Sequence, residues 1–425
     1  MIKIVSSANR RAVADLLSAA RIRDRATERR VAEIVGRVRR GGDRALVALA
    51  RELDGLDGGL EAPRRGWEMR ARGLAPQVRA AIRQSAANIR RVARRQMPRG
   101  WHLRVGPGVS VEQRVIPLAR IGCYVPAGRY PLPSSLLMTA IPAREAGVAE
   151  VVVACPRPNA AIFAAALEAG VDRLFRVGGA QAIAALAYGT RTVPRVDRIV
   201  GPGNRWVSAA KALVSADCGI DFYAGPTEIL IVASTGRARW IAADLIAQAE
   251  HDPDARSVLI TPNRRLAEAV AAEVTRQTPS EGPARASLSR HGGIIVSRDV
   301  TEAVDLANGA AAEHVVVGSE MLARRVINAG AVFVGAWTAQ VAGDYALGSN
   351  HVLPTAGAAR FRGGLNTADF VKLVSVQRAT RKGLERLGAT ITTLARAEGL
   401  ESHARSIDVR IGKRKSVVGH RTKDH

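Results

Sequence analysis

A chain of 425 residues, 47% hydrophobic with mean hydropathy near zero, is globular in composition and too long for one simple core, so two or more domains are expected. No uncharged apolar run reaches the roughly eighteen residues of a membrane span, and the amino terminus MIKIVSSANRRAVADLL lacks the long apolar core of a secretory leader, so a cytoplasmic protein with no membrane partner is expected. The net charge of +25 brings nucleic acid into consideration, but aromatic residues make up only 4% and no zinc-finger, RRM or KH pattern is present.

In chain order, residues 1 to about 100 read as helices. Apolar positions recur every three or four residues in VAEIVGRVRRGGDRALVALARELD and APQVRAAIRQSAANIRRVARRQ. The many Arg residues alternate with this stripe and therefore read as solvated helix faces, with no specific nucleic-acid partner expected. Strand-like VSVEQRVIPLARIGCYV follows. A helix is predicted near 134–147, and then strands and helices alternate. The strands are EVVVACP, RLFRVG, DRIVG and the pair within GIDFYAGPTEILIVA; the helices are NAAIFAAALEAG, AQAIAALAYG and RWVSAAKALV. A second round contains helix 238–251, SVLITP, RRLAEAVAAEVTRQ, GGIIVS, VTEAVDLANG, HVVVG, helix 319–329 and AVFVG. Short continuous apolar strands between helices are the pattern of parallel sheets buried on both faces. The fold class is therefore α/β, with two Rossmann-like doubly wound units, a helical N-terminal region and a helical C-terminal tail after a loop-rich stretch to about 366.

Three cysteines, Cys123, Cys155 and Cys218, have no paired spacing, which argues against a disulfide framework or a cysteine zinc site. On such a fold a dinucleotide is the ligand to test, yet the full glycine fingerprint is missing. GPGNRW follows a strand, but Trp206 stands at its third glycine position; Asn204 there also reads as a helix cap. VGGAQAIAAL offers a second glycine turn, with Gln181 near a helix start whose N–H groups could meet an anion. Taken singly, each turn reads first as structural.

Of eight histidines, His102, His291, His420 and His425 lie in polar or terminal contexts, whereas His251, His314, His351 and His403 each have a carboxylate or amide nearby in sequence. In LIAQAEHDPDARS, Gln248 and His251 are one helical turn apart, so both can address one point: solvent, a polar pocket or a metal ion. Glu313 and His314 are adjacent; on a regular strand they would point to opposite faces, but at a strand entrance they can form an acid–base couple.

The chain closely resembles the histidinol dehydrogenase family. The resemblance rests on RIGCYVPAGRYPLPSSLLMTAIPAREAGV, RVGGAQAIAALAYGT, VDRIVGPGN, GIDFYAGPTEILIVA, WIAADLIAQAEHD, AEHVVV, AGDYALGSNHVLPTAGAARFRGG and AEGLESHARSI, in family order over roughly residues 20 to 412. It implies an oxidoreductase of histidine biosynthesis that converts L-histidinol through L-histidinal to L-histidine with NAD and one Zn2+ per active site. It implies Gln248, His251, Asp344 and His403 as zinc ligands and Glu313 and His314 as the catalytic pair. Thr227, Gln248, His251, His314, Asp344, His351, Glu398 and His403 would contact substrate, and Tyr124, Gln181 and Asn204 the cofactor. It further implies a homodimer whose C-terminal tail completes the partner's active site. The corresponding organisation is an arm over 1–20, a first α/β domain over 21–125 and 226–368, a second inserted over 126–225, and a tail over 369–425. Thr227 stands where the family usually has Ser, Ala312 where it has Pro, Ala127 where it has a second Gly, and Leu347 where it has a small polar residue. A paralogue acting on another small polar alcohol, such as a sulfonated diol, is the nearest alternative. A basic nucleic-acid-binding or scaffold protein that has lost the activity is the alternative of a different class.

Overall fold

The extended segments, in chain order, are β1 (Lys3–Ser6), β2 (Trp101–Gly106), β3 (Val109–Pro117), β4 (Arg120–Tyr124), β5 (Glu150–Ala154), β6 (Arg173–Phe175) and β7 (Arg198–Val200). They continue with β8 (Gly219–Ile220), β9 (Glu228–Val232), β10 (Arg256–Thr261), β11 (Gly293–Val296), β12 (His314–Val317), β13 (Ala331–Val334) and β14 (Val371–Ala379). The structure, a computed structural model, describes residues 2–18, 24–126, 131–223 and 225–412. Two compact units are present: Met1–Met97 with Pro117–Phe370, and Pro98–Ile116 with Val371–His425.

The larger unit holds two parallel sheets. One has the order β1-β11-β10-β9-β12-β13 and the other β6-β5-β4-β7-β8. In both, the chain winds outward in one direction from a central strand and then returns to wind in the other. The order therefore reverses between β9 and β12 in the first sheet and between β4 and β7 in the second, the doubly wound arrangement. Every residue of β9 and β10 is buried, because helices cover both faces of that sheet. On one face the core is built from Ile241, Leu245, Leu266 and Val270; on the other from Val13, Leu16, Val304 and Ala307. The second sheet is covered in part by the helix Arg25–Leu49, which packs on Gly179–Tyr188 and Arg205–Val214. Asp24 caps its start by accepting from Ala26 and Thr27, and Gly42 breaks its path at a φ of +54°.

The smaller unit contains the three-stranded sheet β14-β3-β2 and the helices Arg381–Ala397 and Glu401–Ile411. Here the structure departs from a purely helical tail, since β14 precedes those helices. The N-terminal region also departs from an all-helical reading: Lys3–Ser6 is a strand paired with β11. The expected strand pair in GIDFYAGPTEILIVA is divided between the two sheets, β8 closing the second and β9 starting in the centre of the first. The expected helix 319–329 is helical only over Glu320–Ala323. All three cysteines are free and buried, and burial pushes the Cys123 and Cys155 thiols up to about 12. No helix among the described residues is long and apolar enough to cross a membrane.

Candidate active site

Parallel strands all start at the same edge of a sheet, and at the amino edge of the first sheet β9 and β12 are neighbours. Glu228 opens β9 and His314 opens β12, with Glu313 just outside the strand, where the pleat no longer forces alternate residues apart. Consequently His314 Nδ1 lies 3.5 Å from Glu313 Oε2. The main-chain N–H of Glu228 donates to Glu313 Oε2 at 2.9 Å; the Thr227 hydroxyl donates to the same oxygen and in turn accepts from the Gln248 amide. His314 Nδ1 is 3.0 Å from the carbonyl oxygen of Glu228. A carbonyl only accepts, so Nδ1 carries the proton and Nε2 is the free base of the neutral ring. Burial holds this imidazole below its usual pKa, against the opposing pull of Asp344. Burial also pushes the Glu313 carboxyl up to about 8, with the Glu228 and Asp344 carboxylates adding to the shift and the bonds from Thr227 and Glu228 resisting it.

The other side of this cluster comes from helix Ala238–Ala249 and the loop-rich segment around Gln340–Tyr345. Gln248 is fully buried on the last turn of its helix, whereas His251 lies just beyond the helix and is exposed, with Nδ1 3.1 Å from the Ala247 carbonyl. The pair therefore shares a helix end but not an environment. Asp344 accepts from the Gln340 amide at 2.9 Å; His351 Nδ1 donates to the Asp344 carbonyl at 3.0 Å, and its Nε2 is 3.4 Å from Ser135 Oγ. Burial lowers the His351 pKa, and Asp344, His314 and His251 all act on it electrostatically. Among the described residues, four buried side-chain polar atoms lack a hydrogen-bond partner in the protein: Gln248 Oε1, His314 Nε2, Gln340 Oε1 and Ser257 Oγ. Three of these belong to the groups just described. Buried polar atoms are normally paired, so their shared location points to a ligand. Glu398 and His403 belong to the smaller unit, where both are exposed.

At the second sheet's switch point, Tyr124 ends β4 and Gly201 follows β7. Gly201 has a φ of +119°, and a Cβ there would collide with the Tyr124 carbonyl oxygen, so only glycine allows the two strand ends to meet this closely. The turn is pinned by residues that sequence reasoning passed over. Lys211 Nζ donates to the Gly201 carbonyl at 2.5 Å and to Asp221 at 2.7 Å, and Asp221 accepts from the N–H groups of Gly201 and Phe222. Asn204 caps the following helix through Trp206 and Val207. At the second glycine turn two N–H groups are already engaged: Gly178 donates to the Asp54 carboxylate and Gly179 to the Tyr124 hydroxyl, at 3.0 and 3.1 Å.

A family model described as "Histidinol dehydrogenase" matches residues 17–411. The chain belongs to the histidinol dehydrogenase family. A histidinol dehydrogenase of Methylococcus capsulatus is 46% identical over 93% of this chain and 94% of its own length. One from Thermus thermophilus is 47% identical over 91% and 95%. The crystal structure of histidinol dehydrogenase from Elizabethkingia anophelis has a TM-score of 0.91 and 29% identity, covering 97% of this chain and 98% of that one.

The departures from the usual family sequence can now be placed. Thr227 keeps the hydroxyl that links Gln248 to Glu313. At Ala312 the backbone is tied to the neighbouring strand: its carbonyl accepts from Gly330 at 3.0 Å and that of Glu313 from Ala331 at 2.9 Å. Leu347 is about half exposed, and Ala127 lies outside the described residues. Ala311, two residues before Glu313, closes its helix in the left-handed region at φ 51°, ψ 54°, where glycine is the usual occupant. Ala311→Gly is expected to stabilise the protein by about 0.5–1 kcal/mol through relief of this strain. A lower denaturation midpoint in the variant would show that the strain is not there to relieve.

Proposed function

We propose that the chain oxidises L-histidinol through L-histidinal to L-histidine, with NAD as hydride acceptor and one zinc ion in the site. The observation that carries this reading is His314 Nε2, a buried, unpartnered base on a ring whose other nitrogen is held by Glu228, beside a buried carboxylate. NAD, when bound, accepts a hydride in each oxidation. Zinc, when bound, would supply a fixed positive charge that helps to anchor and orient the substrate. In the alcohol step His314 takes the hydroxyl proton at Nε2. In the aldehyde step Glu313 activates the water that adds to the carbonyl. Both protein hydrogen bonds to Glu313 end on Oε2, so Oε1 is the oxygen for that water. Burial keeps the aldehyde from exchanging with solvent between steps.

The residues present fit the metal. Gln248 Oε1 is buried with no protein partner, and an amide oxygen, two imidazoles and a carboxylate suit zinc. Gln248, His251 and Asp344 would hold it, with His403 as the fourth ligand. Among the described residues no three His, Cys, Asp or Glu side chains gather around one point. A site with Gln248 as a ligand and His403 supplied by a second copy of the chain does not need them to. Glu398 would then contact substrate in trans, and Tyr124, Gln181 and Asn204 would contact NAD. His251→Asn is expected to weaken zinc binding at least roughly tenfold, read as zinc content after dialysis against a buffered metal concentration. Full occupancy in the variant would remove His251 from the ligand set.

The deciding assay is NADH yield. Two equivalents per histidinol support the reading. One equivalent from another small alcohol, with none from histidinol, supports the paralogue instead.

A further inference from the structure

The carboxylate of Asp54 comes from the end of the turn Ala50–Asp54, far from the second sheet in sequence, yet its Oδ2 accepts from Gly178 N and from Gln181 Nε2, both at 3.0 Å. Gln181 is buried on the first turn of the helix Gly179–Tyr188, whose first N–H, that of Gly179, donates to the Tyr124 hydroxyl. An amide side chain can face either way, but an ionised carboxylate can only accept. Asp54 therefore requires the NH2 end of Gln181 to point at it and turns Oε1 the other way. Gly179 keeps that oxygen uncovered, since a Cβ there would stand 2.7 Å from Gln181 Oε1. The helix start offers a phosphate little, because the N–H groups of Gly178 and Gly179 are engaged and a carboxylate sits beside them.

We infer that Asp54 is a positioning residue for the cofactor, fixing the amide of Gln181 so that Oε1 accepts from an N–H or O–H donor of NAD, such as its carboxamide or a ribose hydroxyl. This rests on the reading that Gln181 touches NAD. Both hydrogen bonds fall on a single oxygen of Asp54, so asparagine can keep them with its carbonyl oxygen, whereas alanine cannot.

The test is NADH affinity, by fluorescence titration of the full-length, zinc-loaded protein, for Asp54→Ala, Asp54→Asn, Gln181→Ala and the double variant Asp54→Ala/Gln181→Ala. Asp54→Ala and Gln181→Ala are each expected to weaken binding roughly five- to tenfold, and Asp54→Asn to stay within about threefold of the parent. The double variant should bind no more weakly than Gln181→Ala alone, and KM for NAD should rise while KM for histidinol holds. Additive effects would mean that Asp54 merely supports the helix, and the proposal falls. Parent-like binding by Asp54→Ala alongside weak binding by Gln181→Ala also overturns it, leaving the Gln181 contact intact. Parent-like binding by Gln181→Ala overturns the contact and the proposal together. Should Asp54→Ala not fold, Asp54→Ser, whose hydroxyl leaves the amide free to turn, completes the same cycle.

Discussion

Glu313→Gln is expected to slow oxidation of supplied L-histidinal by about 10²–10⁴-fold while slowing the alcohol step far less. Glutamine preserves the volume and can still accept from Thr227 and from the Glu228 N–H, so the frame around position 313 should survive. What it removes is a carboxylate able to take a proton from water. The pH profile gives the assignment a second edge. With the carboxyl pushed up to about 8, Glu313 in the free enzyme is mostly protonated at pH 7 and becomes the base as pH rises. For aldehyde oxidation kcat/KM should therefore climb up to tenfold per unit below about 8 and level off above it. Alcohol oxidation should lack that limb, because burial lowers the His314 pKa and its neutral form already prevails near pH 7. In Glu313→Gln the alkaline climb should disappear. Equal slowing of both half-reactions, or an unchanged climb, would take water activation away from this residue.

The parts of this design legible in the sequence are those that depend on neighbours along the chain. β5 and β10 read as strands because each carries a continuous apolar run, Val151–Ala154 and Val258–Ile260, as a strand buried on both faces favours. Asn204 read as a helix cap, and it caps Trp206 and Val207. Adjacent Glu313 and His314 posed a puzzle that only the sheet edge answers: the strand begins at His314, so Glu313 is free to turn back toward it. β1 has four residues, too few to declare a period, and exists because β11 offers it a ladder. β14, VKLVSVQRA, follows a loop-rich stretch and leads into a strongly helical segment, which masked its extended character.

What stayed hidden is the set of groups that hold the site residues in place. Glu228 is fixed by the N–H of Ala356, over a hundred positions away, and Asp54 is similarly remote from Gly178. Lys211 and Asp221 are only ten residues apart, but no spacing rule distinguishes a buried pair from two charges on the surface. Such groups are recognised by where the fold brings them. A buried ion pair is seldom the most stabilising filling for its space, whereas one that also bonds both the N–H and the carbonyl of Gly201 sets the position of that turn.

His314→Asn should give the mirror image of Glu313→Gln. The asparagine amide can imitate Nδ1–H and still donate to the Glu228 carbonyl, but nothing in it replaces Nε2. Loss of the ring also opens space against Phe333, whose ring centroid lies 5.9 Å away, so some destabilisation is expected. The alcohol step should fall by about 10²–10⁴-fold, the range for removing a positioned base. Oxidation of supplied L-histidinal should keep its rise toward pH 8, because Glu313 and its donors remain. The comparison that isolates Nε2 is His314→Gln: its longer amide can reach the Nε2 position yet accepts a proton negligibly, so it too should fail in the alcohol step. A His314→Gln enzyme that oxidises histidinol at the parental rate would mean that the unpartnered nitrogen orients the hydroxyl without removing its proton.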